Sequence, residues 1–182
     1  MIERLIDGDG FYLSIGQQGS GKTLLSVALV FELLKILPQR KIFSNIELYN
    51  IGYEKFNFET LLENIKLNNN YYDNSIILFD ELHIFLNSLD FYKKQNRLVQ
   101  SFFSQLRKRK IIILGTSQYI LNVDVRIRRQ AIRVFELYKK NNNIYEVIVH
   151  LIDGYFTKQI DTIYMKLDKY YNCYNTYEII YW

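Results

Sequence analysis

The sequence has 182 residues, of which 49% are hydrophobic and 23% charged, with a formal net charge of +4 and a pI near 9.0. These values are ordinary for a soluble globular protein, and the length fits one domain spanning residues 1–182. No apolar run reaches the roughly 18 residues that a membrane span needs, and a single cysteine, Cys173, excludes an internal disulfide. The basic charge permits a nucleic-acid partner without establishing one.

A phosphate-binding pattern follows the first predicted strand. Residues 1–10 predict a polar lead-in that ends in a turn at Asp7-Gly8-Asp9-Gly10, and residues 11–15 form a short apolar run typical of a strand. Residues 16–23 then read Gly-Gln-Gln-Gly-Ser-Gly-Lys-Thr, which matches G-x-x-x-x-G-K-[ST]. Residues 21–37 predict a buried helix, apolar nearly all round. A strand before the pattern and a helix after it favour a nucleotide loop over a chance match.

Each residue type in this loop has a physical role toward a nucleotide. The glycines let phosphate oxygens approach the backbone N–H groups, which point inward at the positive end of a helix. Lys22 is expected to reach the β- and γ-phosphates, and the Thr23 hydroxyl to ligate Mg²⁺. The predicted nucleotide-binding residues are Gly16, Gln17, Gln18, Gly19, Ser20, Gly21, Lys22 and Thr23.

Further strands and helices alternate along the chain. Residues 41–46, 75–79 and 111–114 predict strands, and the unbroken apolar character of the last two is typical of strands buried on both faces. Residues 58–67 predict a helix with Asn57 as its N-cap, and residues 92–108 a second helix with Val99, Phe102, Phe103 and Leu106 on its apolar face. This alternation predicts a doubly wound α/β fold with a mostly parallel sheet flanked by helices.

The C-terminal third is less regular. Residues 131–138 and 144–151 flank an Asn triplet and predict a β-hairpin. Residues 154–182 are rich in Tyr and Asn, and their pattern assigns no element; we treat them as a Tyr-rich extension of the same domain.

Two acids end the strand at residues 75–79. Ligands of open α/β sheets bind at the carboxyl ends of the strands, so Asp80 is placed to hold Mg²⁺ through a water and Glu81 to polarise the water that attacks the γ-phosphate. A strand end with two solvated acids is the plain alternative, but the phosphate loop upstream favours a hydrolase. Asp80-Glu81-Leu82-His83 also spells the acidic box of two-lobed helicases, which 182 residues are too few to form, so we interpret His83 as a packing residue.

Polar and basic residues follow. Thr116-Ser117-Gln118 closes the next buried strand, where a polar group would lie beside Asp80, orient the attacking water and sense phosphate release; an ordinary polar strand end is the alternative.

The stretch from residue 91 to 133 is strongly basic. Solvated charge, an arginine finger reaching a neighbouring subunit and a DNA-phosphate surface all fit such a stretch.

These motifs together resemble the HerA/FtsK superfamily of RecA-like P-loop ATPases, with viral genome-packaging ATPases and zonula occludens toxin-like phage assembly proteins nearest in layout. The resemblance covers most of residues 11–133 and is strongest at 105–118. It implies that Arg107 is the arginine finger and Gln118 the sensor, although Lys110 stands where the family often has Gly, which leaves Arg109 and the arginines at 126–129 as rivals. Weaker matches are Ser44-Asn45-Ile46, Asn122-Val123-Asp124 with Arg126, and Tyr174-Asn175-Thr176-Tyr177.

The resemblance implies a motor that hydrolyses ATP with Mg²⁺ as a homo-oligomeric ring, a hexamer, and threads double-stranded DNA into a viral capsid. Its catalytic residues would be Lys22, Glu81, Arg107 and Gln118, and its metal ligands Thr23 and Asp80. The partner would be a capsid or portal-vertex protein, in the cytoplasm of the infected host cell or on the virion. Alternatives are a membrane-associated ATPase for filamentous virion assembly or export, and a nucleotide-binding regulatory subunit that does not pump.

Overall fold

A computed structural model describes residues 2–67, 69–86, 93–140, 143–153 and 156–177. Within them, eight strands form one sheet in the order β3-β2-β4-β5-β1-β6-β7-β8. The strands are β1 (Gly10–Ile15), β2 (Lys41–Ser44), β3 (Glu54–Lys55), β4 (Ser75–Phe79), β5 (Ile111–Ser117), β6 (Ala131–Lys139), β7 (Ile144–Asp153) and β8 (Phe156–Lys166). The α-helices are α1 (Lys22–Ile36), α2 (Phe58–Lys66), α3 (His83–Leu86), α4 (Lys93–Gln105) and α5 (Val125–Arg128).

The predicted fold class is confirmed. Strands β3, β2, β4, β5, β1 and β6 pair in parallel, and β7 and β8 add antiparallel pairs at one side of the sheet. The predicted hairpin is formed by β6 and β7, with Val134 opposite His150 and Lys139 opposite Tyr145. The parallel order brings the carboxyl ends of β1, β4 and β5 together at one edge, where a nucleotide site is expected.

The two faces of the sheet bury separate hydrophobic clusters. Ile76 and Ile112 join the cluster that contains α1, whereas Ile77 and Ile113 join the cluster that contains α2 and α4. Since successive strand residues point to opposite faces, a strand covered on both sides must be apolar throughout. That requirement explains the unbroken apolar sequence of β4, in which all five residues are buried.

Element boundaries differ from the predicted ones where side chains redirect the backbone. Strand β2 ends at Ser44 instead of residue 46, because the Ser44 hydroxyl donates to the Ile46 carbonyl at 2.8 Å and accepts from the Ile46 N–H at 3.2 Å. Helix α4 ends at Gln105 instead of residue 108, because the chain turns back through Lys110, which has a left-handed φ of 55°. The predicted start of that helix at residue 92 lies outside the described residues.

Asn57 caps α2 as predicted. Its Oδ1 accepts from the Thr60 N–H at 2.8 Å, and the Thr60 Oγ1 accepts from the Asn57 N–H at 3.2 Å. This reciprocal pair satisfies two backbone groups at the start of the helix and fixes where it begins.

The first and last of the described segments both pack against the body of the fold. A 3₁₀ helix at Ile2–Arg4 precedes fully buried Leu5, and the guanidinium of Arg4 donates to both carboxylate oxygens of Asp161, at 2.7 and 2.9 Å. The C-terminal stretch contributes β8 and a 3₁₀ helix at Asp168–Cys173 that packs on α1. Among the described helices, none has the length and apolar character required to cross a bilayer.

Candidate nucleotide site

The predicted phosphate loop connects the carboxyl end of β1 to the first residue of α1. Gly21 is the N-cap of α1 and has a φ of 98°, a left-handed conformation that glycine adopts without strain. A Cβ at this position would come within 2.5 Å of the Tyr145 ring. A Cβ at Gly16 would lie 2.7 Å from the Ser20 Oγ. The backbone is therefore shaped as an open cradle that larger residues would distort.

Lys22 and Thr23 emerge from this cradle toward the neighbouring strand end. The Nζ of Lys22 donates to the Gln17 carbonyl at 3.1 Å, which folds the side chain back over the loop. Burial lowers the pKa of Lys22, although Glu81 and Asp80 act against that shift. The Thr23 hydroxyl donates to the Asp80 Oδ1 at 2.9 Å. The fold thus unites residues 57 positions apart into one polar cluster.

Asp80 is held on three sides. Its Oδ1 also accepts from the Thr116 hydroxyl at 2.7 Å, and its backbone exchanges two hydrogen bonds with the Asn45 amide, at 2.7 and 2.9 Å. The Asn45 contacts were not predicted, and the only signal for them was the weak match at residues 44–46. Burial raises the pKa of Asp80, with the Thr116 and Thr23 hydrogen bonds opposing. These contacts position the carboxylate, but its burial disfavours the charged form because the group loses contact with water.

We expect Asp80→Asn to raise the unfolding midpoint of the nucleotide-free protein at neutral pH. Because the folded pKa of Asp80 is raised, the ionised carboxylate destabilises the fold above that pKa, and the penalty disappears below the ordinary carboxyl pKa of about 3.9. The amide keeps an oxygen that accepts from Thr23 and Thr116. Thermal unfolding across pH should show a gain that shrinks toward about pH 4. A variant less stable than wild type at neutral pH would contradict this reasoning.

Glu81 lies in the turn after β4 and has a left-handed φ of 50°. The Thr116 hydroxyl accepts from its backbone N–H at 2.9 Å, so the same threonine positions both acids. Burial raises the pKa of Glu81, and Lys22 opposes that shift. The Nδ1 of His83 lies 3.2 Å from the Glu81 Oε2, but burial lowers the pKa of His83, so this ring is neutral near pH 7 and the contact is not an ion pair.

The cleft that holds this cluster has a volume of about 630 Å³. The residues that line it include Lys22, Thr23, Asp80, Glu81 and Tyr145. The Thr23 hydroxyl and the Asp80 carboxylate are hard oxygen ligands that touch each other, which fits Mg²⁺ completed by waters and phosphate oxygens. When bound there, the ion would neutralise charge on the β- and γ-phosphates.

Gln118 lies on the other side of the phosphate loop. It lines a cleft of about 720 Å³ with the loop residues 16–20, and its carbonyl accepts from the Gly16 N–H at 3.2 Å. The polar group that reaches Asp80 from this strand is Thr116, two residues earlier. The structure therefore brings together Lys22, Thr23, Asp80 and Glu81, and leaves Gln118 at the neighbouring cleft.

Arg107 lies far from the phosphate loop of its own chain. It precedes β5, whose seven residues at about 3.3 Å each put roughly 20 Å between it and the carboxyl edge of the sheet. Its side chain is exposed and forms no ion pair or hydrogen bond with the described part of the chain. Arg107 can therefore act on a γ-phosphate only in another subunit.

The rival arginines are engaged within the chain. The guanidinium of Arg109 donates to Asp73 and to the Asn69 carbonyl, each at 2.6 Å, and lies 5.2 Å from the centre of the Phe102 ring. Arg126 pairs with Asp124 at 2.9 Å. These contacts favour Arg107 as the residue free to meet a neighbour.

The P-loop ATPases are defined by a strand, a glycine-rich loop and a helix in succession. Here these elements place Lys22 and Thr23 against an acidic strand end. The chain belongs to the AAA family, the ATPase family associated with various cellular activities, whose sequence profile matches residues 12–138. No curated protein matches the chain in sequence.

Solved structures share the fold. The N-terminal domain of zonular occludens toxin from Neisseria meningitidis superposes with a TM-score of 0.69 at 17% identity, covering 93% of this chain and 100% of that one. B204, the DNA-packaging ATPase from Sulfolobus Turreted Icosahedral Virus, gives 0.60 at 14% identity, covering 87% and 100%. The genome-packaging NTPase B204 from Sulfolobus turreted icosahedral virus 2, in complex with ATP-gammaS, gives 0.59 at 12% identity, covering 85% and 98%. The resemblance to both groups is confirmed as one of fold.

Proposed function

We propose that this ATPase is a Mg²⁺-dependent motor of the HerA/FtsK type that moves double-stranded DNA, in the packaging of a viral genome into its capsid. The observation that supports it best is the single cleft in which Lys22, Thr23, Asp80 and Glu81 meet. A cation for the phosphates, two oxygen ligands for the metal and a candidate base are the groups that hydrolysis of a nucleoside triphosphate requires.

In this mechanism each chain supplies part of the chemistry. Loop amides and Lys22 would hold the phosphates, Thr23 and Asp80 would hold the metal, and Glu81 would accept a proton from the attacking water. Arg107 of a neighbouring subunit stabilises the charge that develops on the γ-phosphate. Gln118, beside the first residue of the loop, senses loss of the phosphate and transmits it to the ring.

The proposed DNA partner is supported by a basic turn and by the fold of the packaging ATPases. Lys108 and Lys110 are exposed in the turn between α4 and β5, and neither forms an ion pair with the described part of the chain. Unpaired cations of this kind bind DNA phosphates without reading sequence. A ring, hexameric as the resemblance implies, would present one such turn from each subunit, in the cytoplasm of the infected cell or on the virion, and would dock on a capsid or portal-vertex protein.

Double-stranded DNA is expected to stimulate ATP hydrolysis at low salt, and the stimulation should fall as salt rises, because phosphate contacts release counterions. Turnover is measured with and without DNA, on protein whose mass is established by light scattering. Lys22→Ala, which removes the phosphate contact and leaves the exposed basic turn intact, should be inactive in both conditions. Wild-type turnover that ignores DNA at every salt concentration would contradict the motor proposal.

A second candidate is a membrane-associated ATPase for filamentous virion assembly or export. It is supported by the likeness to the zonular occludens toxin domain, all of which is matched. This function predicts ATP turnover that is indifferent to double-stranded DNA and a protein that sediments with membranes of the producing cell. ATP binding without turnover would instead favour a regulatory subunit that does not pump.

A further inference from the structure

The C-terminal segment 168–177 lies against the nucleotide cleft. Tyr171, Tyr174, Asn175 and Thr176 line the same cleft as the phosphate-binding lysine and the acidic pair. The strand pattern of the sequence assigned no structure to this segment, and nothing in the hydrolysis mechanism above uses it.

The segment is fixed in place by the loop that follows β2. Tyr174 forms an isolated β-bridge with Leu48, and the Tyr49 N–H donates to the Cys173 carbonyl at 2.8 Å. The Asn175 N–H donates to the Glu47 carbonyl at 3.1 Å, and its Nδ2 donates to the Glu47 carboxylate at 3.1 Å. The segment is thus a docked wall of the cleft and part of the fold.

The segment reaches the start of α1 through Tyr145, a residue of β7. The Tyr145 ring packs on Gly21, and its hydroxyl shares a hydrogen bond of 2.5 Å with the hydroxyl of Tyr171. Tyr174 is half-buried, and its hydroxyl makes no hydrogen bond within the described part of the chain. Burial, together with nearby Asp80, raises the pKa of Tyr174 to about 12, so it remains a neutral phenol at physiological pH. Two partly exposed rings therefore line the cleft that also contains Lys22 and Thr23.

We propose that Tyr171 and Tyr174 form the aromatic wall for the base of the bound nucleotide. This inference rests on the proposed function, which places the phosphates at Lys22 and Thr23. The cleft continues from these residues to Tyr171 and Tyr174, so it offers a path for the ribose and base, and aromatic rings stack on every base through its π-face. The neutral amide of Asn175 and hydroxyl of Thr176 add hydrogen-bonding groups suited to a ribose or base edge.

The neighbouring cleft provides a matched control. It also contains tyrosines, Tyr119 and Tyr138, and Tyr138 is exposed at the end of β6. Lys22, Asp80 and Glu81 line the nucleotide cleft and do not line this neighbouring cleft. Tyr138→Leu therefore removes a ring of the same size near the phosphate loop without touching the proposed base wall.

The test compares ATP with inorganic tripolyphosphate, which lacks a base. Tyr171→Leu and Tyr174→Leu are expected to weaken ATP binding by roughly 5- to 150-fold, the range of one lost stacking contact, and to leave tripolyphosphate binding unchanged. Tyr174→Phe, which keeps the ring, and Tyr138→Leu should bind both ligands as wild type does. Calorimetry gives the affinities, and thermal unfolding establishes that each variant is folded.

Three outcomes would overturn the base wall: equal losses for both ligands, no loss for either, and tighter ATP binding, which would make the segment a competitor of the nucleotide. An independent measurement uses the wild-type protein alone. The triphosphate of 2-aminopurine riboside should lose fluorescence on binding because its base stacks, and a bound nucleotide that stays bright would contradict the proposal. If the wild type bound neither ATP nor tripolyphosphate, the assignment of the nucleotide site would be wrong. A lack of DNA stimulation would contradict only the proposal that the protein is a motor.

Discussion

Glu81→Gln is expected to lower ATP turnover by roughly 10²- to 10⁴-fold while ATP affinity stays close to that of the wild type. Gln has the shape of Glu and accepts a hydrogen bond, but it cannot take a proton from the attacking water. The backbone bond to Thr116 fixes where this side chain begins, and it persists in the variant. Single-turnover hydrolysis and equilibrium binding of ATP separate the two effects.

Glu63→Gln is the matched control, because Glu63 is an exposed residue of α2, away from the cleft. It should leave turnover unchanged. The acid side of the pH profile gives a second check: Glu81 acts as a base only when ionised and its pKa is raised, so turnover should begin to fall at a higher pH than an ordinary glutamate would cause. Full turnover by Glu81→Gln would remove the hydrolytic role from this residue.

Arg107→Ala is expected to lower turnover by roughly 10³- to 10⁵-fold, the usual effect of losing an arginine finger, without reducing the unfolding midpoint. The exposed side chain has no ion pair or hydrogen bond in the described part of its own chain to lose. Lys108→Ala removes a neighbouring exposed charge and should alter only the DNA response. Arg109→Ala should instead destabilise the fold, because Arg109 holds Asp73 and the Asn69 carbonyl.

Mixed rings test whether the finger acts between subunits. Arg107→Ala chains retain an intact phosphate loop, and Lys22→Ala chains retain the finger. Mixing the two inactive proteins should restore part of the activity, since some sites then combine a wild-type loop with a wild-type Arg107. Mixtures as inactive as their components, under conditions where subunits demonstrably exchange, would assign Arg107 to another task, with DNA phosphates the first alternative.

The sequence predicted those parts of the site whose residues are consecutive in the chain. The loop at 16–23 and the acids after β4 depend on short patterns whose chemistry is local, so their positions follow once the strands are recognised. The sequence also predicted that a polar group of residues 116–118 lies beside Asp80, and the structure shows that Thr116 is that group. The contact from Asn45 was not predicted, because it depends on strand order, which no local pattern specifies.

The same distinction applies to the arginines and the C-terminus. Sequence alone could not separate Arg107 from Arg109, because the difference is the distant partner Asp73 that engages only Arg109. The Tyr-rich extension had no readable period, since its 3₁₀ helix is stabilised by packing on α1, and Tyr174 and Asn175 are held by the loop after β2. Long-range pairing of this kind overrides local propensity.

The most direct test of the account is translocation itself. A short third strand is annealed to a double-stranded DNA, and its displacement by wild-type protein is followed with ATP and Mg²⁺. We predict displacement that requires hydrolysis and is abolished by Glu81→Gln. A protein that hydrolyses ATP in response to the DNA and yet never displaces the third strand would contradict a motor that moves along the duplex.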